Sequence, residues 1–131
     1  MTENLIHLRR PGVSVVVDVS VGVPVIAQWG RELENMNRDL ILESVFLPKE
    51  PGGVDVNAPI AVVPQHGDGC FARPGLDGHR PGGIFFSPRF SHSRVEMSDY
   101  GFVFSSTDSA AELGLRCQFE LRESGVLAIN A

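Results

Sequence analysis

Between its glycines and prolines the chain either alternates apolar and polar residues or gathers short β-branched runs, which is the pattern of an antiparallel β protein. Leu5-Ile6-His7-Leu8, closed by Pro11-Gly12, predicts a first strand. The Val-rich stretch 14–20 and the stretch 25–30, joined by the turn-prone Val21-Gly22-Val23-Pro24, predict a hairpin. From 31 to 47 the spacing of Leu33, Met36, Leu40, Ile41 and Ser44 approaches the helical period, with no Gly or Pro, and predicts a short helix. Residues 48–59 read as a turn-rich connection and 60–63 as a short strand. Further strands are expected over 90–96, 100–104 and 113–121. The last alternates most cleanly, with Leu113, Leu115, Cys117, Phe119 and Leu121 on one face and Arg116, Gln118 and Glu120 on the other. After the turn Glu123-Ser124-Gly125, the apolar run 126–131 predicts a final strand, and an apolar strand at the end of the sequence gives the expectation of an unfinished sandwich.

The least regular stretch is 64–83, which holds six Gly, three Pro, two His, two Arg, two Asp, Cys70 and Phe71 in twenty residues. It cannot be a central strand. A loop of this length inside a compact domain more often serves binding than connection, so it is the leading candidate site.

Composition narrows the classes. A chain of 131 residues with 43% hydrophobic content is long enough for one domain with a core that needs neither metal nor disulfide. A net charge of -5, from 16 acidic and 11 basic residues, argues against a nucleic-acid partner, which calls for clustered Lys and Arg. No apolar run approaches the roughly 20 residues of a membrane span and no signal peptide opens the chain, so no membrane partner and a cytoplasmic address are expected. Cys70 and Cys117 do not make a disulfide framework, and two reduced, partly buried thiols are expected.

Several chemistries are weighed against packing. His66, Cys70 and His79 with Asp68 or Asp77 match no zinc spacing and read as ordinary loop polars, so no metal or other cofactor is called for. A Cys70 dyad with His66 or His79 has no local signature. The stretch 67–75 lacks the Lys-Ser/Thr of a phosphate loop. Trp29, ending a strand, reads as core rather than as a sugar-stacking platform. Arg73, Arg80 and Arg89 suit a carboxylate or sugar hydroxyls, and equally suit pairing with Asp68 or Asp77.

The string from Val63-Pro64-Gln65-His66-Gly67-Asp68-Gly69-Cys70-Phe71 to Gly78-His79-Arg80, followed by Phe86-Ser87-Pro88-Arg89-Phe90, resembles the N-terminal β-sandwich domain of glycoside hydrolase family 36 α-galactosidases, particularly the actinobacterial kind. The opening hairpin with Trp29-Gly30-Arg31-Glu32-Leu33, and the stretch from Glu112-Leu113-Gly114-Leu115 to Glu123-Ser124-Gly125-Val126-Leu127, resemble segments of the same domain in the same order. The resemblance implies an all-β fold: an antiparallel, supersandwich-like β-sandwich, incomplete, with one short helix and a long irregular loop. It treats 1–131 as the N-terminal part of that domain, without the catalytic barrel.

The activity implied is retaining hydrolysis of terminal α-galactosides by two aspartates. Both belong to the barrel, so no catalytic residue carries over and the chain alone is expected to be inactive. What carries over is a supporting role. In tetrameric members this loop helps shape a neighbouring subunit's substrate pocket, which implicates Asp68, Cys70, Phe71 and Arg73. Cys70 stands where relatives have Asp or Trp, and a thiol offers neither a carboxylate's hydrogen bonds nor a stacking face. The implied partners are the remaining α-galactosidase domains or subunits, α-galactoside sugars indirectly, and a further copy in a homo-oligomer. A stand-alone carbohydrate-binding or self-associating module is the alternative.

Overall fold

The computed structural model describes residues 4–45, 51–52 and 60–131. Among these residues seven strands form two antiparallel sheets. The first sheet holds β1 (Leu5–Arg10), β2 (Val13–Asp18) and β3 (Val25–Arg31) in that order; the second holds β4 (His92–Ser98), β5 (Gly101–Asp108), β6 (Leu113–Leu121) and β7 (Leu127–Asn130). Within each sheet every strand pairs antiparallel with its successor, through connections of two to six residues, and the β2–β3 register shifts once, between Val16 and Val17. The expected opening strands, the hairpin and the four later strands are all present, within a few residues of their expected bounds.

One apolar core lies between the sheets. Ile6, Leu8, Val15 and Val17 of the first meet Phe102, Phe104, Cys117, Phe119 and Leu121 of the second. The alternation over β6 settles its orientation as the sequence predicts: Cys117, Phe119 and Leu121 are buried, whereas Arg116, Gln118 and Glu120 are exposed. Phe102 and Phe119, directly opposite across the β5–β6 ladder, stack with ring centroids 4.4 Å apart and planes 9° from parallel. Cys117 is a free thiol in this core, and burial pushes its pKa up. The architecture is therefore an all-β, sandwich-like arrangement with one short helix and a long irregular loop.

Three expectations need correction. The helix predicted over 31–47 starts later than expected, as α1 (Arg38–Val45) among the described residues: Arg31 completes β3, and the Asn37 side chain starts the helix by accepting from the amides of Asp39 (3.1 Å) and Leu40 (3.2 Å). Leu33 and Met36, part of the apparent period, precede that cap. Residues 60–63 are not a strand. Val62 donates one backbone bond to the Pro24 carbonyl at 2.8 Å, and the run meets Pro64, which has no N–H to extend a ladder. Trp29 is not core: it is 54% exposed on the edge strand β3, its indole N–H donating to the Gly125 carbonyl at 3.1 Å. The expected connection 48–59 lies outside the described residues except at Pro51 and Gly52, which form a turn.

Candidate functional site: the loop from Val63 to Phe90

Two core residues bracket the irregular segment. Val63 at its start and Phe90 at its end are both buried. Between them runs a single turn of 3-10 helix, His66–Asp68, then a non-repetitive path with one isolated bridge between Arg80 and Ile84. A chain of this composition has no ladder to satisfy its backbone, so side chains must do it.

Gln65 is the first of these. It is 4% exposed; its carbonyl oxygen Oε1 accepts from the amide of Phe90 at 2.7 Å, and its Nε2 donates to Asp68 Oδ2 at 2.6 Å. Its own backbone carbonyl accepts from the amides of Asp68 and Cys70, both at 3.3 Å. One side chain thus joins the entry of the loop to its exit. The returning chain then passes hard against the entry: Gly75 donates to the Pro64 carbonyl at 2.9 Å, and a Cβ at Gly75 would fall 2.7 Å from Val63 Cγ1. Only glycine fits there.

Asp108, at the end of β5, holds the exit from the other side. Its Oδ2 accepts from the Arg89 amide at 2.8 Å, while Oδ1 accepts from the amides of Ala110 (2.9 Å) and Ala111 (3.1 Å) in the β5–β6 turn. The Arg89 amide foremost, with those of Ala111 and Ala110, holds the Asp108 carboxyl below the usual carboxylate range, against the opposing effect of burial. Arg80 closes the frame by donating from Nε (3.3 Å) and Nη2 (2.9 Å) to the Ala111 carbonyl and from Nη2 to that of Glu112 (3.3 Å). Arg80 thus pairs with these backbone carbonyls instead of with Asp68 or Asp77. Arg89 does pair within the loop, its Nε 3.4 Å from Asp68 Oδ1.

The four residues singled out from the sequence fall into two groups. Asp68 is occupied structurally by Gln65 and Arg89. Cys70 is a partly buried free thiol whose carbonyl lies 2.8 Å from His66 Nδ1. Among the described residues neither His66 nor His79 hydrogen-bonds the Cys70 sulfur; His79 Nδ1 lies 2.8 Å from the Arg80 carbonyl instead. Phe71, 82% exposed, and Arg73 project into solvent beyond this turn. None of the four lines the shallow depression of about 190 Å³ bounded by Leu76, Asp77, His79, Arg80, Phe85 and Leu113. Among the described residues no three His, Cys, Asp or Glu side chains are grouped to hold a metal ion, and no helix is long and apolar enough to cross a membrane.

Gln65 and Asp108 were not visible as site-forming residues in the sequence. Their roles depend on partners 25 and 19 positions away. A polar residue just before a glycine-rich loop, and an Asp at the end of a strand ahead of a turn, are the faint signals available.

These features define a two-sheet antiparallel β domain with a long loop fastened at both ends by buried polar side chains. No protein-family model matches the chain. Over 105 residues, 80% of its length, it is 32% identical to an alpha-galactosidase of Escherichia coli, and the matched region spans 14% of that enzyme. The chain is thus similar to a small part of an alpha-galactosidase.

Proposed function

We propose that the chain is the opening portion of the non-catalytic N-terminal β-sandwich domain of a cytoplasmic glycoside hydrolase family 36 α-galactosidase of the actinobacterial type. The observation that carries this is the 32% identity to the Escherichia coli alpha-galactosidase across 80% of the chain. In this reading the chain's partners are the other domains or subunits of such an enzyme. Terminal α-galactosides meet it only indirectly, where 68–73 borders a pocket whose catalytic aspartates lie on a barrel that these residues do not include. The loop's construction suits the role: Gln65 and Asp108 fix its ends, and Phe71 and Arg73 stand outward, available to a neighbouring surface.

The test replaces the matched segment of the Escherichia coli enzyme with this chain. A soluble chimera that hydrolyses a chromogenic α-galactoside supports the proposal, as does a change in KM when Cys70→Asp or Cys70→Trp is introduced there. The isolated chain is expected to release no chromophore, and robust turnover by it would show that it carries a catalytic site of its own.

A second reading, a stand-alone carbohydrate-binding module, is favoured by the exposed rings of Trp29 and Phe71. Isothermal titration with galactose, melibiose and raffinose separates the two. Heat that disappears in Trp29→Ala or Phe71→Ala favours the module, and no heat removes it.

A further inference from the structure

The second sheet ends in an unprotected edge. β4 pairs with β5 over all seven residues without a register shift. Among the described residues, no backbone group of β4 hydrogen-bonds to anything on its other side. Edge strands are ordinarily blunted by proline, by a bulge, by charged side chains or by a charge pointing inward. β4 has no proline, bulge or inward-pointing charge, and its two charged residues, Arg94 and Glu96, are of opposite sign. Val95 and Met97 stand opposite the core residues Phe104 and Phe102 and so share their inward face, whereas Arg94 and Glu96 point to the outer face. Met97, although on the core side, is 60% exposed.

The β4–β5 turn determines which backbone groups face the open side. Only Asp99 and Tyr100 separate the strands, which makes Ser98 and Gly101 the closing hydrogen-bonded pair. Hydrogen-bonded pairs then alternate, so Glu96 and Arg94 direct their N–H and C=O groups to β5, and Ser93, Val95 and Met97 direct theirs outward. This sets the terms on which another strand can dock.

We infer that β4 pairs antiparallel with β4 of a second copy of this chain about a two-fold axis through Val95. In that register Val95 faces its own counterpart, Met97 faces the partner's Ser93, and all three outward-directed residues join the new ladder. Arg94 then lies opposite the partner's Glu96, and Glu96 opposite the partner's Arg94. Both contacts fall at non-hydrogen-bonded positions, where side chains approach most closely. The neighbouring registers are disfavoured by charge: a two-fold through Arg94 opposes arginine to arginine, and one through Glu96 opposes glutamate to glutamate. Within one copy the two side chains already pair, Arg94 Nη2 lying 3.1 Å from Glu96 Oε1. Dimerisation exchanges the two intrachain contacts, one in each copy, for two across the interface, so charge selects the register, and the backbone ladder with Val95 and Met97 supplies the attraction. The interface is small, and the dimer is accordingly weak and concentration-dependent. This inference stands apart from the α-galactosidase proposal, because it invokes neither sugar nor barrel.

Sedimentation velocity on the full chain over a concentration series tests it. The expected result is a reversible monomer–dimer equilibrium that Glu96→Arg or Arg94→Glu weakens about tenfold by setting like charges opposite one another at both contacts. The double variant R94E/E96R reverses every charge, and its dimer constant is expected within about threefold of the original. Both positions are exposed, and unchanged far-ultraviolet circular dichroism would certify the fold of each variant. Three results overturn the inference: a monomer at every concentration, dimerisation indifferent to the single variants, or a double variant that fails to restore it.

Discussion

β6 and the loop leading to Phe90 both face the centre of the molecule, yet they are held in different ways. β6 buries Cys117, Phe119 and Leu121, pairs along its length with β5, and takes β7 on its other side. Its position is determined many times over, by non-directional burial and a repetitive ladder. The loop touches the core through Val63 and Phe90, and its path between them depends on a few directional bonds converging on Gln65, Asp108 and Arg80. Losing one contact in β6 lowers the stability of the whole; losing one in the loop changes a local shape. A segment of the second kind can vary its outward residues freely so long as the few fastenings survive, and this is why recognition surfaces so often arise on such loops.

The sharpest break with that contrast is Phe119→Ala, which removes a buried ring stacked on Phe102. It is expected to cost about 3–5 kcal/mol of global stability, read as a lower urea midpoint. Gly101→Ala follows: its Cβ would fall 2.1 Å from the Phe119 carbonyl oxygen, so the β5–β6 ladder must shift, at about 1–3 kcal/mol in the same measurement. Gln65→Ala leaves the Phe90 amide without its buried acceptor, at a cost of about 1–3 kcal/mol. Its signature is different, with faster proteolysis and amide exchange confined to 63–90 while β6 stays protected.

Asp108→Asn sharpens the comparison through pH. The wild-type carboxyl is held below its ordinary pKa of about 3.9, so its contribution is fully present above that value and is lost as pH falls through the lower folded one. The stability difference between wild type and Asp108→Asn should therefore shrink as pH falls from about 5 to about 3. The smallest effect belongs to Phe71→Ala. That ring is 82% exposed, and the variant should unfold within about 0.5 kcal/mol of wild type.

The same contrast explains what could be read from the sequence. Period-two alternation over β6 reports burial directly, so strand and inward face were both legible, and the hairpins were legible from Gly and Pro between β-branched runs. The helix was overextended because the 3.6-residue pattern continues across Asn37, whose cap decides where helix begins. Trp29 was misplaced because an edge strand has one neighbour instead of two. The loop's irregularity was plain, but its shape was not, since Gln65, Asp108 and Arg80 act on groups 25, 19 and 31 positions away that no local pattern links.

Asp108 carries one further consequence. The same carboxylate receives the amide at the loop's exit and the two amides of the β5–β6 turn. Neither segment can leave without disturbing the acceptor that holds the other, so their excursions into solvent share a gate. Hydrogen–deuterium exchange at Arg89, Ala110 and Ala111 should then proceed with a common opening rate, and Asp108→Asn should accelerate all three amides together. A loop that looks like an appendage of the sandwich thereby keeps time with one of its hairpins.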